Sequence, residues 1–324
     1  MYNFTPPYLT LLESGELDRR IEKLYRTLAS CELCPRKCRV NRLDGETGFC
    51  RAPKELTISS YNLHFGEEKP LVGSRIQPII NLIEKPHSGG SGTVFLTYCN
   101  LLCKYCQNFD VSHLGQGVQV IEARAAEIML QLQEAGAHNI NFVTPTHYAP
   151  QLVCAVRTAA KKGLSLPLVW NCGGYENIEI IRLLDGIVDI YMPDMKYSEP
   201  EPAKKYSDAP DYFERCTESV QEMHRQVGDL LIDENGIAYR GLLIRHLVLP
   251  NGLAGSERIL SFIADNISQS SYVNVMSQYR PAGMARDYPG LDRYPTPEEY
   301  YSVVETARKL GLTRGLSPKH LERF

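Results

Sequence analysis

Residues 92–108 read Gly92-Thr93-Val94-Phe95-Leu96-Thr97-Tyr98-Cys99-Asn100-Leu101-Leu102-Cys103-Lys104-Tyr105-Cys106-Gln107-Asn108. Thr93–Tyr98 is a short apolar run rich in β-branched and aromatic residues, which predicts a buried strand. The strand ends at three cysteines spaced C-x3-C-x2-C. Three thiolates on one short loop can hold one iron–sulfur cube and leave one iron without a protein ligand. An open coordination position is what a catalytic metal needs. The other reading of this spacing is a structural zinc site completed by a distant His or Cys.

Downstream, strands and helices alternate. The spacing predicts helices over Ile121–Ala135, Pro150–Lys162, Glu176–Leu184, Tyr212–Val227, Ser256–Asn266 and Thr296–Leu310. It predicts strands over Asn139–Val143, Leu166–Trp170, Ile187–Met192, Leu242–Leu249 and Tyr272–Gln278. Regular alternation argues for a parallel sheet with crossover helices, either an open doubly wound sheet or a whole or partial barrel. In both, ligands sit at the C-terminal strand ends. Cys99, Thr144, Asn171, Asp194 and Gln278 all fall there. Upstream, residues 12–29 have helical spacing, and residues 51–91 read as an irregular connector.

Composition bounds the class. The chain has 324 residues, 43% hydrophobic and 23% charged, with a formal charge of −3. Those values exclude disorder and collagen as the main class, and a net acidic chain has no strongly basic nucleic-acid footprint. No apolar run approaches the length of a membrane span, and the N-terminus lacks a signal-peptide pattern. The expectation is a cytoplasmic protein with no nucleic-acid or membrane partner. In a reducing compartment, ten cysteines point to metal or catalysis rather than disulfides.

Four of them, Cys31, Cys34, Cys38 and Cys50, lie within 20 residues at spacing C-x2-C-x3-C-x11-C. Four thiolates close a site with no open position, so this module reads as a structural zinc or a second iron–sulfur cluster. The two stay open, beside four unligated thiols. Cys154 and Cys216 fall in helices, where a buried free thiol is the default. Glu67 and Glu68 read as a solvated pair or a lid contact. Tyr279, after the last main strand, is a candidate to touch substrate.

Cys99, Cys103, Tyr105 and Cys106 resemble the signature of the radical S-adenosylmethionine (SAM) superfamily. The wider pattern is Phe65-Gly66-Glu67-Glu68, Gly90-Ser91-Gly92-Thr93-Val94-Phe95 and Cys106-Gln107-Asn108. It resembles the members described as pyruvate formate-lyase activating enzyme-like, and the likeness runs from about residue 31 to 324. The resemblance implies a partial (β/α)6 TIM-like barrel over 88–324. An N-terminal helix, four-cysteine metal module and connector would fill 1–87. It implies a four-iron four-sulfur cluster on Cys99, Cys103 and Cys106, with SAM chelating the fourth iron and Tyr105 near the adenine.

Two further segments match the activating enzymes. Asn171-Cys172-Gly173-Gly174-Tyr175 stands where they carry an Asp-Thr-Asn-Gly turn, and Met192-Pro193-Asp194-Met195-Lys196 matches their Met-x-Asp-x-Lys pattern. By that match Asn171, Cys172 and Asp194 help bind SAM and a monovalent cation, and Lys196 meets the methionine carboxylate or ribose. One segment departs. Where activating enzymes carry Gly-Gly-Glu-Pro, this chain has Asn141-Phe142-Val143-Thr144-Pro145-Thr146-His147, with Thr144 in the acid's place. A hydroxyl or carbonyl is left to accept the ammonium hydrogen bonds, without a countercharge. His147 is a second candidate for that pocket, beside a purely structural role.

The resemblance implies that a one-electron donor, flavodoxin- or ferredoxin-like, reduces the cluster. SAM is then cleaved to methionine and a 5′-deoxyadenosyl radical, which abstracts hydrogen from substrate. The substrate stays open between a glycine of a glycyl-radical protein and a small molecule or other protein. A non-catalytic metal-binding maturation or interaction protein is the reading from another class.

Overall fold

The computed structural model describes residues 4–73 and 89–316. Nine strands occur among them: β1 (Leu56–His64), β2 (Ser91–Leu96), β3 (Val118–Val120), β4 (Ile140–Val143), β5 (Leu168–Cys172), β6 (Ile190–Pro193), β7 (Leu231–Ile232), β8 (Ala238–Leu247) and β9 (Tyr272–Met276). Six of them, β2, β4, β5, β6, β8 and β9, pair in parallel and in chain order. Among the described residues no pairing joins β9 to β2, so the barrel is partial, as the sequence suggests. No described helix is long and apolar enough to cross a membrane.

The register puts the chemistry at one rim. Phe95 pairs with Val143, Val143 with Asn171, and Asn171 with Met192. The chain steps out of β2 into the cysteine loop, out of β4 into Thr144, and out of β6 into Asp194. β2, β4, β5 and β6 are buried on both faces almost throughout, which explains their mainly apolar residues. The crossover helices lie close to their expected bounds; Tyr212–Val227 and Ser256–Asn266 match residue for residue. Pro297–Lys309 starts at Thr296, whose side chain and Glu299 cap each other reciprocally, satisfying two otherwise orphaned N–H groups.

The N-terminal third differs from expectation in two places. The single helix over 12–29 is two helices, Pro7–Glu13 and Glu16–Arg26, separated by Gly15 at φ +73°, with a 3-10 turn over Thr27–Ser30. Leu17, Ile21 and Leu24 face inward from the second helix, and Arg157 of the helix Ala149–Ala160 pairs with its Asp18 at 2.6 Å. The connector over 51–91 is not irregular where it is described. Residues 56–64 form β1, antiparallel to β2 and flanked in turn by β3. Ser59, Ser60 and Asn62 break its apolar pattern, because only its first three residues are buried.

Residues 65–72 then enter the barrel from below. Leu71 is fully buried against Val169, Ile190, Met192 and Leu243, and its carbonyl accepts Asn139 Nδ2 at 2.9 Å. The rest of the connector, 74–88, lies outside the described residues.

Candidate functional site

The C-terminal strand ends enclose a cavity of about 460 Å³. Cys99, Cys103 and Cys106 line it, together with Tyr105, Thr144 and Asn171. Cys172, Asp194 and Lys196 line it too, so the triplet and the six residues matched to the cofactor meet in one place, whereas His147 does not line it.

The cysteine loop turns back on itself through Tyr98 and Leu102, both with positive φ (67° and 49°). Each of its sulfurs accepts a hydrogen bond. Leu101 N–H donates to Cys99 Sγ at 3.4 Å, Ser112 Oγ to Cys106 Sγ at 3.1 Å, and Ser207 Oγ to Cys103 Sγ at 3.0 Å. Donors aimed at sulfur stabilise thiolate over thiol. The protein alone does not complete that task. Burial, then the neighbouring Cys103, push the Cys99 thiol up to about 12. Burial also raises Cys103, though Lys196 and Ser207 work against it. Three sulfurs, Cys103 buried and Cys99 and Cys106 partly buried, with directed donors and too little positive charge fit a metal-based group that supplies the missing charge. Among the described residues no three Cys, His, Asp or Glu side chains are grouped so as to hold a metal ion. In an iron–sulfur cube each cysteine binds a different iron, so convergence on one point is not required.

Opposite the cysteines stands a chain of charges. Asp194 Oδ2 pairs with Lys196 Nζ at 2.6 Å, and Asp194 Oδ1 with Arg245 Nε at 2.7 Å. Burial alone would raise the Asp194 carboxyl, but Arg245 and Lys196 outweigh it and hold it below its ordinary range. Burial opposes the charge on Lys196 too, and Asp194 and Cys103 together keep it protonated. Both Asp194 oxygens are engaged by side-chain cations.

Arg245 also donates to Asn171 Oδ1 at 2.8 Å, and Glu67 and Glu68 lie 3.7 and 3.9 Å from its guanidinium. Glu67 and Glu68 are thus neither solvated nor a lid. They sit under the cavity floor, and burial pushes Glu67 up to about 7 against the pull of Arg245. Sequence reasoning missed Arg245. Its signal was a charged pair, Arg245-His246, inside the apolar run Leu242–Leu249.

Thr144 holds φ +61° while its N–H donates to the Asn171 carbonyl at 2.8 Å. A β-branched residue in this region costs about 1–3 kcal/mol and persists only where its surroundings enforce it. Glu176, which binds Thr146 close by, does not replace the missing carboxylate. It lines no part of the cavity; Thr146 Oγ1 donates to it at 2.7 Å, and burial pushes it up to about 8.

His147 has the structural role. Its Nε2 donates to the Thr97 carbonyl at 2.8 Å, its own carbonyl accepts Arg42 at 2.6 Å, and burial lowers it to about 3. Tyr279 is buried and packs edge-on against Tyr105 at 5.8 Å; it braces Tyr105 rather than facing a substrate.

Cys31, Cys34, Cys38 and Cys50 lie beside one another but outside the cavity. Burial, then Cys50, raise Cys34 strongly; burial raises Cys50, with Cys31 and Cys38 adding to it. Phe49 N–H donates to Cys38 Sγ at 3.3 Å. The module seats against the barrel through Asn177 Nδ2, which donates to the Glu32 carbonyl at 2.6 Å, and through Arg36.

No protein-family model matches the chain. It is 32% identical over 320 residues to the uncharacterized protein MJ0674 of Methanocaldococcus jannaschii, covering 96% of this chain and 83% of that one. A second uncharacterized protein of that organism, MJ0808, is 23% identical over 312 residues, 91% and 81% of the two chains. Among solved structures, a radical SAM methyltransferase from Sphaerobacter thermophilus is similar with a TM-score of 0.48 at 16% identity, over 69% of this chain and 65% of that one. Native anSMEcpe with bound AdoMet is similar with a TM-score of 0.44 at 12% identity, over 69% and 59%. The chain spans less than two thirds of either structure.

Proposed function

We propose a function for a chain that belongs to the family of the Methanocaldococcus jannaschii protein MJ0674: it is a radical SAM enzyme. The observation that carries this is the triplet itself, three sulfurs on one loop, each given a hydrogen-bond donor, lining one cavity at the strand ends with Lys196 and Arg245. When bound there, a four-iron four-sulfur cluster and SAM supply one-electron cleavage to a 5′-deoxyadenosyl radical.

The chain's own residues do the rest. Cys99, Cys103 and Cys106 hold the cluster. Lys196 offers a cation to the SAM carboxylate, and Asp194 keeps it charged and pointed across the cavity. Arg245, held by Asp194 and Asn171, adds a second fixed cation. Thr144, at the place of the usual acid, presents a hydroxyl and a carbonyl to the SAM ammonium. Tyr105, braced by Tyr279 and Tyr197, forms an apolar wall for the adenine. These fixed groups exclude water and position the reactants, which is where the protein contributes to cofactor chemistry.

The hydrogen donor we propose is a glycine Cα–H in a loop of a partner protein, with a flavodoxin- or ferredoxin-like electron donor. The unclosed side of the barrel supports this reading, because an extended peptide needs an opening that a closed barrel lacks. The test is made on anaerobically reconstituted protein. Iron and sulfide are counted, then dithionite and SAM are added and 5′-deoxyadenosine is measured. The reading expects product from the wild type and none from Cys103→Ala. SAM cleavage that survives Cys103→Ala would overturn it, and a loaded, reducible cluster that neither binds nor cleaves SAM would make this a metal-binding protein without the reaction.

A further inference from the structure

Ser207 has one hydroxyl hydrogen, and it goes to Cys103 Sγ at 3.0 Å. Its oxygen lies 2.9 Å from the Tyr197 hydroxyl, so Tyr197 is the donor in that pair. The result is a directed chain, Tyr197 to Ser207 to sulfur, fully buried. Ser207 is the last residue of the helix Pro200–Ser207, and a helix end leaves carbonyls without partners.

Two groups satisfy them. Lys104 N–H, inside the cysteine loop, donates to the Tyr206 carbonyl at 2.8 Å. The Arg36 guanidinium donates to the Ser207 carbonyl at 2.7 Å and to the Asp208 carbonyl, and also reaches the Asn100 carbonyl at 3.1 Å, next to Cys99. A cation here also suits the negative end of the helix dipole.

Arg36 comes from the N-terminal cysteine module. It stands between Cys34 and Cys38, its own N–H donates to the Cys34 thiol, and its guanidinium stacks on the Phe49 ring at 3.7 Å. Phe49 is the residue whose N–H donates to Cys38. A single side chain thus joins the module to both flanks of the catalytic loop.

We propose that Arg36 is a positioning residue through which the N-terminal cysteine module sets the reduction equilibrium of the group on Cys99, Cys103 and Cys106. It does so by holding Ser207 so that its hydroxyl bonds Cys103. This rests on the radical SAM reading. A donor to a cluster thiolate favours the more negative, reduced state, so losing it shifts the equilibrium toward oxidised. No bond is made or broken; the one electron comes from the external reductant.

The experiment uses full-length, anaerobically reconstituted protein. Wild type, Ser207→Ala, Ser207→Thr, Arg36→Ala, Arg36→Lys and the double variant S207A/R36A are poised at a series of potentials. The reduced cluster is read by electron paramagnetic resonance, and iron and sulfide are counted on the same samples.

Ser207→Ala is expected to move the oxidised-to-reduced ratio about tenfold toward oxidised, about 59 mV for a one-electron couple. Ser207→Thr, which keeps the hydroxyl, restores the wild-type ratio. Arg36→Ala shifts it several-fold the same way, Arg36→Lys less, and the double variant goes no further than Ser207→Ala alone. Should Arg36→Ala fail to fold, Arg36→Lys carries the same test. A wild-type ratio in the foldable Arg36 variants, or effects that add in the double variant, would overturn the proposal while leaving the radical SAM reading intact. A wild type that takes up no cluster would overturn both.

Discussion

Replacing Gly48 by alanine tests how tightly the N-terminal module is built. Gly48 has no positive φ, so its backbone suits alanine. On chain entropy alone, Gly48→Ala would stabilise the fold by about 0.4–1 kcal/mol. The surroundings reverse the sign. A Cβ at residue 48 would lie 2.8 Å from both Cβ and Sγ of Cys38. Neither atom is the loose end of a long side chain, and Cys38 is held by the Phe49 N–H. Relieving such a contact costs about 1–3 kcal/mol.

The net expectation is a loss of about 1–2 kcal/mol, a fall in melting temperature of about 2–4 °C for a chain of this size. The assay is thermal unfolding of the reduced protein under anaerobic conditions. Gly228→Ala is the contrasting variant: φ is +71° but nothing lies within 4 Å, so it pays conformational strain of about 1 kcal/mol and no steric cost. A Gly48→Ala protein that melts at or above the wild-type temperature would refute the reasoning, because only the clash can produce the loss.

Three further outcomes are expected. Lys196→Met leaves Asp194 paired with Arg245 but removes the cation facing the cysteines; SAM binding by equilibrium dialysis should weaken about tenfold or more, and unchanged binding would remove Lys196 from the site. Leu71→Ala, emptying the plug under the barrel, should cost about 2–5 kcal/mol in urea unfolding; a loss below 1 kcal/mol would mean that residues 65–72 are not part of the core.

The third concerns pH. His147 and His246 are held neutral in the folded state, lowered by burial to about 3 and about 4. The unfolded chain protonates them near 6.5, so the stability they contribute is complete above that pH and is lost as pH falls from 6.5 toward 4 and 3. At pH 5 each costs about 2 kcal/mol relative to pH 8. A variant such as His246→Gln should therefore lose less stability than wild type between pH 8 and pH 5; parallel pH profiles for the two proteins would contradict this.

The alternation of strands and helices after residue 92, the rim location of the site and its nine named residues were legible in the chain. Each depends on local pattern: a period, a run length, or a cysteine spacing that one loop can satisfy. What lay beyond reach depended on distance in space. Glu67 and Glu68 look like solvent-facing acids until their segment is seen to enter the barrel and set them against Arg245, far along the chain.

Ser207 is unremarkable in sequence and gains its meaning from Cys103, a pairing separated by 104 positions. Arg36 stands among the N-terminal cysteines in sequence, whereas the fold turns it toward the end of a distant helix. Sequence determined which segments form the barrel and which residues reach its rim, because secondary structure and strand-end position follow from local periodicity. Tertiary structure decided which charges are paired, which acids are protonated and which donors meet each sulfur, because burial and electrostatic partners are properties of the packed chain.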